Sequence, residues 1–146
     1  MSRPFSLFRR ALADCRGSVA IEFGLLGPLA IGMMLGVLQV GIAMQSYNAI
    51  RNVSAEVARH TAIQYQVNNH LSDTQIQQYA ISTAVNPPYM LEGSGVDITV
   101  ADADTQRVTD ATEKTLTISY EVPSILTLLG YSSPTISFTR PIFVAN

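Results

Sequence analysis

"CRGSVAIEFGLLGP", residues 15–28, joins a basic head to a long apolar run. The run begins at Ser18, and Glu22 stands within its first turn. From Phe23 to Met44, "FGLLGPLAIGMMLGVLQVGIAM", there is no charged residue. A stretch of that length crosses a hydrocarbon core of about 30 Å as a helix. A carboxylate carried to the bilayer centre costs roughly 2.5 kcal/mol or more. Glu22 therefore needs a physical reason to be there.

Charge is distributed unevenly around this run. Hydrophobic residues make up 47% of the 146-residue chain and charged residues 14%, light for a wholly water-facing surface. The net charge of -2 conceals a basic start: Arg3, Arg9, Arg10 and Arg16 stand against Asp14 alone in residues 1–17. Most acidic residues lie beyond position 90. Arginines beside an apolar run hold that side in the cytoplasm and send the following chain across the membrane. Nucleic-acid binding by the basic head would leave the apolar run unexplained, and only Phe5 and Phe8 supply aromatics there. Cys15 is the single cysteine, so no disulfide forms within the chain. It precedes the apolar run, whereas a lipid-bearing cysteine of a bacterial lipoprotein follows one.

Three readings of the run compete. A cleaved secretory signal has an apolar core of roughly 7–15 residues, shorter than this one, although "GIA" at residues 41–43 offers a small-x-small pattern. An uncleaved anchor explains the arginines and the length but not Glu22. Cleavage ahead of the run, between Gly17 and Ser18, explains all three. Ser18 then carries an ammonium group, with Glu22 one helical turn away. A carboxylate near a helix N-terminus gains from the helix dipole. A charge pair in a low-dielectric setting also fixes register between subunits.

Gly17, Ser18, Glu22 and Phe23, in "RG" followed by "SVAIEF", resemble the leader and cleavage site of type IVb prepilins. Adding Pro28 and "YNAIRNVSAEVARHTA" (residues 47–62) narrows the resemblance to the TadE-like family of Flp/Tad pilus pseudopilins. Members look like "RG-A-x-A-x-E-F-A-L-x-x-P", an apolar run, then a stretch close to "N-A-x-R-x-A-A-R-E-G-A-R"; Asn48, Glu56, Ala58 and Arg59 match the last part. Two positions depart. Neutral Gln39 stands where many members carry an acid, and Val57 replaces the Gly of "EGAR". The resemblance implies a pilin-like pseudopilin or minor pilin of a Tad/Flp assembly system. A prepilin peptidase would process it, and it would serve pilus biogenesis, adhesion and surface colonisation. It implies the bacterial inner membrane, a single pass, a cytoplasmic N-terminus and a periplasmic head, with a place in the pilus open. Its partners would be the membrane, the peptidase, other pilins and pseudopilins, and Tad assembly-platform proteins. Nucleic acid, small-molecule substrates and cofactors are not expected. The competing reading is an uncleaved, membrane-anchored extracytoplasmic binding domain.

The remaining chain predicts an α+β fold. Ile50, Val53 and Val57 recur at helical spacing, so the apolar helix continues from Ser18 to about Gln64. It is about 70 Å long at 1.5 Å per residue, with Pro28 as the position to kink it. Gly32 and Gly36 form a G-x-x-x-G pair that suits close helix packing in a membrane. Ser72 and Gln75 make a capping box before a second helix, which "NPPY" (residues 86–89) ends. Alternation over residues 96–100, 116–122 and 136–139 predicts three strands, the last at an edge because of Pro141. "PSILTLLG" between the last two strands reads as a short helix or an apolar loop. The expected parts are a leader (residues 1–17), a long helix (18–64, spanning the membrane over 23–44) and a small extracytoplasmic head (70–146). In the head, a helix packs on an antiparallel sheet of about three strands.

No enzyme signature stands in the chain. His60 and His70 lack cysteine partners at zinc spacing, and both read as solvated. Asp102, Asp104 and Asp110 share a loop that lacks the Gly and terminal Glu of an EF-hand, so a solvated acidic turn is preferred over a calcium site. There is no G-x-S-x-G, and no glycine loop for phosphate follows a strand.

Overall fold

The computed structural model describes residues 16–109 and 111–145. Helix α1 (Arg16–Gln66) is followed by helix α2 (Asp73–Val85) and by strands β1 (Val96–Asp102), β2 (Ala111–Glu121) and β3 (Thr135–Ala145). Short 3-10 turns at Gly93–Gly95 and Ile125–Leu129 lead into β1 and connect β2 to β3. The architecture is the expected α+β arrangement of a long N-terminal apolar helix, a second helix and a three-stranded antiparallel sheet. Residues 1–15, which hold most of the expected leader, and Asp110 of the acidic turn lie outside the described residues.

The chain divides into two units, Met1–Leu38 and Gln39–Asn146. The described part of the first is the beginning of α1. Pro28 lies inside it, where it removes one backbone donor without ending the helix. The end of α1 is set by Asn68, whose φ of 59° is left-handed, a conformation Asn tolerates well. Its amide donates to Tyr65 O at 3.0 Å, and that of Asn69 to Gln64 O at 2.9 Å, so carbonyls of the last turn keep partners.

In the second unit, α2 starts on the capping box read from the sequence. The Gln75 amide donates to Ser72 Oγ at 3.3 Å, and the Ser72 amide donates to Gln75 Oε1 at 2.8 Å. The strands form a meander in the order β1-β2-β3, both pairings antiparallel. Ile98 faces Ile118, which faces Phe138, so the apolar alternation of all three strands falls on one side. That side meets Ile50, Val53 and Val57 of α1 and Ile76, Ala80 and Ala84 of α2 in one core with Leu116, Tyr120, Ile142 and Val144. The Gln77 side chain donates to Ile98 O at 2.6 Å and ties α2 to β1.

Two strands run longer than their apolar alternation. β2 begins at Ala111 and β3 reaches Ala145, passing through Pro141 opposite Thr115. The missing donor is tolerated because β3 is an edge strand. "PSILTLLG" resolves into the 3-10 turn, closed by Gly130 at φ 84°, where only glycine sits without strain. At Gly95 a Cβ would stand 3.0 Å from Glu121 O, so β1 enters the sheet too close to β2 for a side chain.

Candidate membrane and assembly helix

The N-terminal part of α1 carries the residues singled out by the sequence. Gly17 and Ser18 lie in its first turn. Glu22 and Phe23 follow and are exposed. Val19, Ile21, Leu25, Leu26, Leu29, Ile31, Met33 and Met34 are also exposed, an unusual surface for a helix in water. An 18-residue window reaches a mean hydropathy of 2.0 and is almost wholly uncovered. By length and composition the helix can cross a membrane. Gly32 and Gly36 lie one turn apart, and a Cβ at either would meet nothing within 4 Å. Their openness is available to an approaching helix.

The second unit begins at a residue whose role the sequence did not show. Gln39 is 7% exposed although it stands in the apolar run. Its Nε2 donates to Pro123 O at 3.2 Å, and its Oε1 accepts from the Ile125 amide at 3.1 Å. One side chain thus satisfies both sides of the turn between β2 and the 3-10 segment. An acid at this place, as the resemblance leads one to expect, would lack the donor. The only sequence signal was the polar residue itself, amid apolar neighbours.

Polar groups elsewhere in the head serve its architecture. Lys114 reaches Asp73 at 2.7 Å and Asp102 at 2.8 Å, joining the start of α2 to the end of β1. Burial opposes its charge, but the hydrogen bonds to Asp102 and Asp73 outweigh this and hold its pKa above the usual lysine value. Glu113 is buried under Arg107, whose Nε donates to both carboxylate oxygens at 2.9 and 3.0 Å. The guanidinium holds the Glu113 carboxyl below the ordinary range, against the opposing effect of desolvation. Gln106 accepts from the Glu113 amide at 2.6 Å and donates to its carbonyl, so the acidic turn is a braced hairpin end. Asp102 is spent on Lys114, and among the described residues no group of three or more His, Cys, Asp or Glu side chains can hold a metal ion.

His60 departs from its expected solvated state. Its ring stacks on Tyr79 with centroids 3.9 Å apart and planes 15° from parallel, packing α1 on α2. Its Nδ1 is buried without a hydrogen-bond partner in the structure. His70 meets Tyr65 edge-on, with centroids 4.7 Å apart, just beyond the end of α1.

No curated protein and no solved structure matches the chain. A family model does match: residues 17–59 fit that of the TadE-like proteins. The matched segment begins at the Gly of the expected cleavage site, runs through the exposed apolar helix and ends at Arg59, whose guanidinium pairs with Glu56 at 2.9 Å. Over residues 17–59 the chain is thus similar to the TadE-like family, in the stretch whose motifs carry the resemblance.

Proposed function

We propose that the protein is a pilin-like component of a Tad/Flp type IVb pilus assembly system. In this reading a prepilin peptidase cuts between Gly17 and Ser18. The product keeps α1 in the inner membrane, with the α+β head in the periplasm, and supports pilus biogenesis and surface adhesion. The observation that carries the reading is the exposed apolar beginning of α1 within the TadE-like segment. Residues 19–38 of that helix run about 30 Å, one hydrocarbon thickness. The bonds of Gln39 to Pro123 and Ile125 support a head that begins there. The span in this reading lies nearer the N-terminus than residues 23–44. Glu22 then sits close to the cytoplasmic surface, within a turn of the new Ser18 ammonium. The role is structural, and its partners are the membrane, the peptidase, and other pilins and platform proteins.

N-terminal sequencing of the membrane-extracted protein tests the reading. A start at Ser18 is expected, and Gly17→Trp should leave the full-length form in the membrane. An intact leader in the native protein would instead support an uncleaved, anchored binding domain. A start near Met44 would make the run a secretory signal. A reporter active only outside the cytoplasm, fused after Asn146, should be active.

A further inference from the structure

The turn between β2 and β3 is fastened to Gln39, the first residue of the second unit. The α1 residues that meet the core come later in the helix, from Ile42 onward. The turn therefore touches α1 earlier in the chain than the core does. Helix side chains lean toward the N-terminus, so the Gln39 amide group stands no further along the axis than its own backbone. The turn itself is built for a place poor in water. From Val122 to Thr139 there is no charged residue. "ILTLLGY", residues 125–131, is aliphatic at four of seven positions and ends on Tyr131, which is exposed. Ile125 and Leu126 are half-buried and stand outside the core cluster. The backbone donors are matched within the protein. The Ile125 amide goes to Gln39 Oε1 at 3.1 Å and that of Leu126 to Ser124 Oγ at 3.2 Å. The Gly130 amide goes to Thr127 O at 3.0 Å and that of Tyr131 to Leu126 O at 3.3 Å. Thr127 Oγ1 donates to Ser124 O at 2.8 Å, and Pro123 has no amide hydrogen. A segment paired in this way gives up little on leaving water.

We propose that this turn rests in the interfacial layer of the bilayer that α1 crosses, with Tyr131 among the lipid headgroups, and gives the head a membrane contact of its own. With residues 19–38 in the hydrocarbon, Gln39 stands at its edge, and the interfacial layer reaches about 5–8 Å beyond that edge. The Ile125 amide, 3.1 Å from the Gln39 side chain, falls within it. Tyrosine is a side chain that this layer favours, because its ring is apolar and its hydroxyl is wet. Continuity selects the bilayer over a protein partner. Gln39 follows directly on the spanning residues, so the bonds to it bring the turn to the bilayer edge whatever else the head binds. The inference rests on the membrane reading of α1 but not on cleavage of the leader.

The chain contains no tryptophan, so a single introduced one reports without background. Tyr131→Trp and Val108→Trp are each made in the full chain and reconstituted in phosphatidylcholine–phosphatidylglycerol vesicles, with and without lipids brominated high on the acyl chain. Val108 is exposed and lies at the other end of β2, about 30 Å of strand away from the turn. Tyr131→Trp should emit further to the blue and be quenched by brominated lipid at least about twofold more than Val108→Trp, with the order reversed for acrylamide. Thr127→Trp, at a second exposed position of the turn, should behave as Tyr131→Trp does. Acrylamide quenching equal to that of Val108→Trp, with none by brominated lipid, overturns the contact. A blue shift that brominated lipid leaves unquenched and that fades as the protein is diluted in the vesicles would give the turn to a second copy, and overturns it too. Flotation of the same vesicles is scored separately. A chain that floats while Tyr131→Trp stays in water refutes the contact alone, and a chain that does not float refutes the membrane reading beneath it.

Discussion

Gln39 and Pro123, 84 residues apart, are joined by a hydrogen bond from the glutamine amide to the proline carbonyl. The same side chain accepts from the Ile125 amide, so the turn after β2 is fastened to α1 by one residue. Gln39→Leu leaves a donor and an acceptor without partners in a largely covered place. It should cost about 2 kcal/mol of head stability, read as a lower denaturant midpoint. Gln39→Glu restores the acceptor only and sets a carboxylate against a carbonyl, so it too should destabilise. A Gln39→Glu protein as stable as the native one would show that the bond to Pro123 is dispensable.

Val57 is fully buried between the helices and the sheet, at the place where the TadE-like pattern has glycine. Val57→Gly opens a cavity and loosens α1 at once. The expected loss is about 3 kcal/mol, combining the two effects. Thermal unfolding of the detergent-extracted chain measures it. A loss below about 1 kcal/mol, the helix-propensity part alone, would mean that the core collapses to fill the space.

Lys114 links two acids from two elements, and its side chain is only 12% exposed. Lys114→Met should cost about 1 kcal/mol at neutral pH. The pKa is raised in the folded state, so the stabilisation is full below the unfolded lysine value of about 10.4. It disappears as pH rises through the higher folded value. Native and Lys114→Met proteins should therefore converge in stability on the alkaline side. Parallel curves up to the alkaline limit would refute the linkage.

Glu113 gives the opposite sign. Arg107 depresses its folded pKa, so its contribution is present above the unfolded glutamate value of about 4.3 and is lost as pH falls through the lower folded value. Acid should loosen the hairpin end at residues 103–109 before the rest of the sheet. Hydrogen exchange would show this, and Glu113→Gln should flatten the acid dependence.

Glu22→Ala should insert and be processed as the native chain is, since it removes a costly carboxylate from the apolar run. Under the proposed function it loses the ionic partner of an N-terminal ammonium, its own or a neighbour's. Crosslinking to other pilus components in native membranes should fall sharply. Undiminished crosslinking would make Glu22 an interfacial residue only.

Local signals carried most of the fold. The capping box at Ser72 and Gln75, the alternation around Ile98, Ile118 and Phe138, and the spacing of Ile50, Val53 and Val57 each name an element from a few neighbouring residues. What stayed hidden depends on distant partners. Gln39 reads as a missing acid until Pro123 comes beside it, and His60 reads as solvated until Tyr79 stacks on it. β3 extends past Pro141 because β2 offers it a partner as far as Ala111, which a scan for alternation cannot see. Gly17, Ser18, Glu22 and Phe23 are legible as a motif because they lie within one short linear stretch and need no distant partner to be recognised.

The core joins residues that are far apart in the order of synthesis. Ile50, Val53 and Val57 leave the ribosome first, and Ile142 and Val144, which complete the same cluster, follow about 90 residues later. At roughly 5–20 residues per second, a delay of about 5–20 seconds separates the first contribution from the last. During that interval α2, β1 and β2 emerge and cover the stripe of Ile50, Val53 and Val57 only in part. The head therefore closes only once β3 has emerged, and any factor that joins it to a partner must either wait for β3 or shield the open part of the core until β3 arrives.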